Sequence, residues 1–305
     1  MERHELAEYI KAEALSLGFT VCGIAPANEV APGEALRYQE WTEAGMHGTM
    51  SYLERNNDKR MNPALLVEEC RSIIVVAMNY TPRQQLHGIS DYAQGCDYHH
   101  AVKKRLYTLL KRINEKVPAK GRAFCDSAPV LERYWAVQAG LGWIGRNRQL
   151  IIPGKGTKFF IGELLVDIEP EYDTPFTTHH CGNCTRCIDS CPSKALTLNG
   201  FDARRCLSYL TIEYRGELPE NCGEMMQNHF YGCDICQSAC PHNRNAQPTE
   251  IEELQPQEEL LNMTPEKWRA LTREQYKSLF RHSAVERCGY DQLMRNINEY
   301  YRTKK

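Results

Sequence analysis

Eight cysteines carry the most specific chemistry in this sequence. Nine of the chain's 14 cysteines lie between Cys181 and Cys240, and eight of those nine fall into two runs. Cys181, Cys184, Cys187 and Cys191 form C-x2-C-x2-C-x3-C ahead of Pro192, the bacterial run that ligates 4Fe–4S clusters. Three thiolates at three-residue intervals wrap one face of a cubane. The fourth, set one residue further on and followed by proline, reaches a second cluster. Cys233, Cys236 and Cys240, ahead of Pro241, repeat the run without its leading cysteine, and Cys206 takes that place. The crossed pattern assigns Cys181, Cys184, Cys187 and Cys240 to one cluster. It assigns Cys191, Cys206, Cys233 and Cys236 to the other. Zinc also uses C-x2-C pairs, but a zinc site leaves the trailing C-x3-C-P of both runs without a role.

The second candidate is an acid. In Phe124-Cys125-Asp126-Ser127-Ala128-Pro129-Val130-Leu131-Glu132-Arg133, an aspartate follows a short stretch that reads as a strand. Catalytic groups occupy this place in open α/β sheets. The same residues read as a helix start, because Asp126 or Ser127 before Pro129 makes a good N-cap, and spacing alone favours the cap. Asp97-Tyr98-His99-His100 likewise reads as a helix N-terminus rather than a metal site. Cys22, Cys70, Cys96, Cys125 and Cys288 read as small hydrophobes, and Cys222 as a spare turn or core residue.

The elements that must position these groups are legible from periodicity. Residues 5–17 and 101–117 have apolar residues at helical spacing, and 130–140 reads as a third helix. Ile73 to Met78, Arg122 to Cys125 and Phe159 to Ile168 read as strands. Alternating helices and strands suggest an α/β domain over 1–172. The cysteine segment spans 173–248. A C-terminal segment, 249–305, opens with five glutamates in 250–260, read as a solvated linker or helix start. It then turns basic, with ten Lys/Arg against five Asp/Glu in 265–305. No G-x-G-x-x-G follows a strand, so no Rossmann dinucleotide site is indicated.

The net charge of −2 gives no global field toward nucleic acid or membrane. The N-terminus lacks a signal-peptide apolar core, and the longest apolar run is far short of a membrane span. A cytoplasmic protein without a membrane partner is expected.

Taken together, the segments resemble the epoxyqueuosine reductase family, which acts in the last step of queuosine biosynthesis in tRNA. The resemblance rests on Asp97-Tyr98-His99, Asp126 to Arg133, Gly140 to Asn147, Phe160 to Leu165, and the cysteine runs. It also rests on Asp202 to Glu213, with its R-R-C-x-S-Y-L-T-I-E, and on Leu279 to Val285. It implies a cobalamin in an α/β N-terminal domain, beside an α+β ferredoxin-like domain with two 4Fe–4S clusters. It implies reduction of the epoxide of epoxyqueuosine at the wobble position, with Asp126 as proton donor, which reverses the preference for a cap. Arg60, Tyr98, His99, Trp143, Gly145, Arg146, Asn147 and Ser208 are implied at the corrinoid. His99 is not expected to be an axial cobalt ligand, because D-x-H-x-x-G is absent. Arg215, with Arg281, Arg287 and Arg295 from the basic segment, is implied at the tRNA anticodon stem-loop. An external electron donor and a monomer are expected. Longer family members continue with a helical-repeat domain, where this chain ends at Lys305. Two other readings remain: a cobalamin and iron–sulfur reductase of a small molecule, resembling reductive dehalogenases, or a plain electron-transfer protein.

Overall fold

The computed structural model describes residues 1–304. Its first body is a four-stranded sheet in the order β1-β2-β7-β4, formed by β1 (Val21–Pro26), β2 (Ser72–Asn79), β4 (Gly121–Phe124) and β7 (Phe159–Val166). Every pairing in it is antiparallel. The expected mixture of helices and strands is present, but the parallel sheet that such alternation usually brings is not. The strand-end geometry of open α/β sheets therefore does not place Asp126, and other contacts must position it.

β2 reads as an apolar run, and β7 as one interrupted by Glu163, because both of their faces are covered. On one face, Ile74, Val76, Leu164 and Val166 meet α1 (Arg3–Ser16) and α4 (Tyr98–Asn114) through Ile10, Val102, Leu106 and Ile113. Each such side chain contributes roughly 2 kcal/mol when fully buried. On the other face, Ile73, Val75, Ala77 and Leu165 meet α5 (Glu132–Gln138) through Trp135 and Ala136. A hairpin of β5 (Trp143–Ile144) and β6 (Leu150–Ile151) follows. Gly23 allows the close approach on this side, since a Cβ there would lie 2.0 Å from the Ala139 carbonyl oxygen.

α4 starts three residues before the expected helix, because the Asp97 side chain caps it by accepting from the His99 amide. It stops at Asn114, whose side chain bonds both backbone groups of Ala119 and turns the chain. α2 (Pro32–Glu43) and α3 (Asn57–Met61) flank the sheet.

The second body has a core that ignores the expected boundary at 248. The helices α10 (Glu258–Leu261), α11 (Pro265–Arg269), α12 (Arg273–Leu279) and α13 (Tyr290–Arg302) share one core with α7 (Leu207–Ile212), α8 (Cys222–Met225) and β8 (His229–Tyr231). Those last three elements lie between Cys206 and Cys233, so the C-terminal segment packs into the cysteine module instead of following it. Two crossings tie this body to the sheet. β3 (Gly88–Ile89) pairs in parallel with β8. The acidic stretch, read as a solvated linker or helix start, begins α10 at Glu258 and docks on the first body, with Leu254 buried in the α1/α4 core and Glu253 paired with Arg105.

Candidate functional site

Asp126 stands at the end of β4, where the chain leaves the sheet. It adopts a left-handed conformation, φ +53°, which aspartate tolerates better than most residues. It is not the expected cap: α5 begins at Glu132, and Leu131 at its N-cap makes no side-chain bond. Three contacts fix it instead. Its amide donates to Glu132 Oε1. Its Oδ2 accepts from the Tyr98 hydroxyl at 2.5 Å. His99 Nε2 faces the same oxygen at 3.9 Å. Tyr98 is held flat, stacked on Phe160 at 4.2 Å and on His99 at 4.1 Å between centroids. Burial and the Asp126 charge push the Tyr98 phenol far up, so it stays a donor. Asp97 Oδ1 lies 2.6 Å from His99 Nδ1. Burial opposes ionisation of Asp97, but the His99 ring and amide outweigh it and hold its carboxyl below the usual range. With Nδ1 bound there, Nε2 is the ring nitrogen that faces Asp126.

The other side of this opening comes from distant parts of the chain. Arg287 forms a two-pronged pair with Glu213 and lies over the Tyr52 ring at 5.6 Å. The Glu213 bond outweighs burial and pushes the Arg287 guanidinium up, and the charge of Asp126 adds to this. Tyr52 is pushed up to about 12, by burial first and then by Glu213. The Leu279–Val285 segment closes against Asp97, whose amide donates to the His282 carbonyl at 2.6 Å. No local signal in the sequence marks Tyr52; Glu213 closes the R-R-C-x-S-Y-L-T-I-E segment, but no role is read from it there.

The eight cysteines gather in the two groups that the crossed spacing assigns. Cys181, Cys184, Cys187 and Cys240 line one cavity, together with Asn147 and His242. In the other group, Cys191 and Cys206 pack with Cys236, and the charges of Cys191 and Cys206 reach both Cys233 and Cys236. Burial, then the neighbouring thiols, pushes Cys236 well up. Ionising four crowded thiols is costly unless a cationic centre joins them, which is what an iron–sulfur cluster supplies. Asn147 Nδ2 and Trp143 Nε1 are buried without partners among the described residues, and Asn147 borders the first cavity. Both fit as donors toward cluster sulfur.

Several of the expected site residues have contacts within the protein. Trp143 packs with Cys240 and Cys181, and Arg146 donates to the carbonyls of Cys184 and Gly182. Gly145 has no room for a side chain beside Ile151 and Asn147. The segment from Trp143 to Asn147 thus walls the first cysteine group. Arg60 is buried, braces the Tyr52 and Arg55 carbonyls, and lies over Tyr38. Ser208 is half-buried in the first turn of α7, just after Cys206. Among the arginines, Arg215 donates to the carbonyls of Cys288 and Arg287. Arg295 donates to those of Leu210, Tyr214 and Gly216. These two brace the fold, and Arg281 is left exposed. Cys125, Cys222 and Cys288 are buried as expected, whereas Cys22, Cys70 and Cys96 are only half-buried.

Comparison with known proteins accords with this geometry. The family model described as "Epoxyqueuosine reductase QueG, DUF1730" matches residues 60–127. That of a 4Fe–4S double cluster binding domain matches 180–243. The epoxyqueuosine reductase of Cellulophaga algicola is 42% identical over 303 residues, covering 97% of this chain and 98% of that protein. A crystal structure of epoxyqueuosine reductase with an epoxyqueuosine-modified tRNA-Tyr stem loop superposes with a TM-score of 0.89 at 26% identity. It covers 97% of this chain and 80% of that one. The catabolic reductive dehalogenase NpRdhA shares the fold, with a TM-score of 0.51 at 17% identity over 97% of this chain and 38% of its own. With near-complete coverage at that identity, and with an acid corner set beside an iron–sulfur module, the chain belongs to the epoxyqueuosine reductase family.

Proposed function

We propose that this protein reduces epoxyqueuosine in tRNA to queuosine, with Asp126 as the acid. The observation that carries the assignment is the Asp126 corner itself. A carboxyl is fixed at the rim of the sheet by Tyr98 and faced by His99, in a chain whose cysteine module supplies electrons one at a time. Removing an epoxide oxygen as water takes two electrons and two protons, so a group that hands over protons must sit at the oxygen. Asp126 is 61% exposed and can reach a substrate. Tyr98 donates to one of its oxygens and steadies the ionised form left after transfer, and His99, held by Asp97, stands ready to exchange a proton with it.

Two 4Fe–4S clusters on the two cysteine groups, and a corrinoid at the Asp126 opening, complete this reading. The opening fits such a group. Asp126, Tyr52 at 41% and the His99 ring at 30% leave a polar and aromatic face open to solvent. Tyr52 and His99 would border the corrinoid, Arg60 would hold it at one remove by bracing the Tyr52 carbonyl, and Ser208 would approach from α7. His99 fits no axial role, since Asp97 occupies one nitrogen and Asp126 faces the other. Such a group, when bound, supplies reduction of a carbon–oxygen bond with electrons received singly.

The partner is the anticodon stem-loop, with Arg281 as its phosphate contact, since Arg215, Arg287 and Arg295 are held by the protein's own groups. An external carrier delivers electrons, and the protein acts as a cytoplasmic monomer. Among the described residues no helix is long and apolar enough to cross a membrane. The test is anaerobic turnover of an epoxyqueuosine-containing stem-loop, with nucleoside mass spectrometry and cobalt and iron analysis. Queuosine formation that requires corrinoid and is lost in Asp126→Asn is the expected result. Full activity of that variant would remove the assignment of the acid.

A further inference from the structure

Behind Asp126 lies a buried acid that this reaction scheme does not use. Glu163 is the one charged residue of β7. It is fully buried, and neither of its carboxyl oxygens has a partner among the described residues. A leucine would fill the same space without the desolvation penalty, so packing alone does not account for a glutamate. Burial, then the charges of Glu132 and Asp126, pushes its carboxyl well above the usual range, and it holds its proton.

Its position is specific. Glu163 pairs in register with Phe124, two residues before Asp126. Ile161 and Leu165, of the same parity, face the α5 layer, so Glu163 points beneath the start of α5. Glu132, the first residue of α5, bridges the gap, since its Oε1 accepts the Asp126 amide. Burial and then Asp126 push Glu132 up to about 8. Arg133 is the cation beside Glu132. The Cys125 thiol is buried in the α1/α4 core on the other side of the sheet; burial and then the three carboxyls push it up, with Lys103 opposing. The residue of β2 opposite Glu163 is Val75, so no charge from that strand faces it.

We propose that Glu132 and Glu163 form a proton relay that reloads Asp126 while substrate covers it. This rests on the reading of Asp126 as the acid. That acid carries one proton, and the departing oxygen needs two to leave as water. In the relay, the O–H bond of Glu132 breaks as that of Asp126 re-forms; the Glu163 carboxyl, unpartnered at rest, then turns onto Glu132, and its O–H bond breaks as that of Glu132 re-forms. The two electrons are those of the reductase reaction, and solvent returns the protons when product leaves the opening.

The test is kcat and KM against pH for the holoenzyme and for Glu132→Gln and Glu163→Gln, on an epoxyqueuosine-containing stem-loop. Glutamine keeps an acceptor for the Asp126 amide but carries no transferable proton. Wild type should lose activity through a basic limb near the Glu132 value of about 8. Both variants should lack that limb, with kcat down about tenfold or more and KM unchanged. A second readout needs no turnover. A carboxyl whose folded value is raised stabilises the fold below its unfolded value of about 4.3, and that contribution disappears as pH climbs through the folded value. The wild-type melting temperature should therefore decline across that window more than that of Glu163→Gln. If Glu132→Gln fails to fold, Glu163→Gln, whose carboxyl touches no partner, decides. Wild-type kcat and pH profile in the glutamine variants, with Asp126→Asn inactive, would overturn the relay and leave the acid assignment standing. An active Asp126→Asn would overturn both.

Discussion

The cysteine module and the Asp126 corner do complementary chemistry and are built in opposite ways. All eight cysteines of the two groups come from one stretch of sequence, Cys181 to Cys240, on short turns and on the one-turn helices α6 (Arg186–Asp189) and α9 (Ile235–Ser238). The prolines after Cys191 and Cys240 end each run. The corner takes Tyr52, Asp97 to His99, Asp126 with Glu132, Glu213 and Arg287 from five separate segments. A metal cluster can collect its own ligands from a local loop, because the bonds to iron organise them. A proton donor has no such centre, and must be placed by surroundings already folded. Damage to the first region should therefore appear as lost metal, and damage to the second as lost rate with the metal retained.

The largest effects test that division directly. Cys184→Ser and Cys233→Ser should each abolish turnover and each remove about four of eight irons per chain. Loss of iron from both groups in either variant would show that the two sites fold as one. Next, Asp126→Asn should keep full iron content and stem-loop affinity while lowering kcat about 10²- to 10⁴-fold. Iron loss in this variant would erase the contrast. Tyr98→Phe removes one hydrogen bond from the Asp126 carboxyl and should slow turnover about tenfold, visible in kcat rather than KM.

The arginines sharpen the comparison further. Arg295→Ala leaves three backbone carbonyls without donors, and should cost about 2–3 kcal/mol of stability in urea unfolding. Arg281→Ala should leave the melting temperature unchanged. It should weaken stem-loop binding modestly and reduce the salt slope by about one.

These arginines also show where sequence reading stops. Ten basic residues against five acidic in 265–305 look like a surface for phosphate. Folded, Arg273 pairs with Asp291, Arg287 with Glu213 and Arg302 with Glu299, and Arg269 lies over Tyr301. Composition counts charges but does not say which are already neutralised. Glu163 is the reverse case. It stood in plain view as the one acid within Phe159–Val166, yet only its complete burial beneath α5 gives that acid a meaning.

The sequence by itself determined the cysteine grouping, three of the four strands of the sheet with α1, α4 and α5, and the segment that carries Asp126. Each of these depends on spacing between near neighbours, which covalent geometry transmits unchanged. Tertiary structure alone decided that the sheet is antiparallel and that the C-terminal helices share a core with the Cys206–Cys233 interval. It also decided that Trp143 to Asn147 wall a cysteine cavity and that Glu213, Arg287 and Tyr52 face Asp126. Those outcomes depend on which buried surfaces find each other across dozens of residues or more, and such long-range packing leaves no periodic trace along the chain.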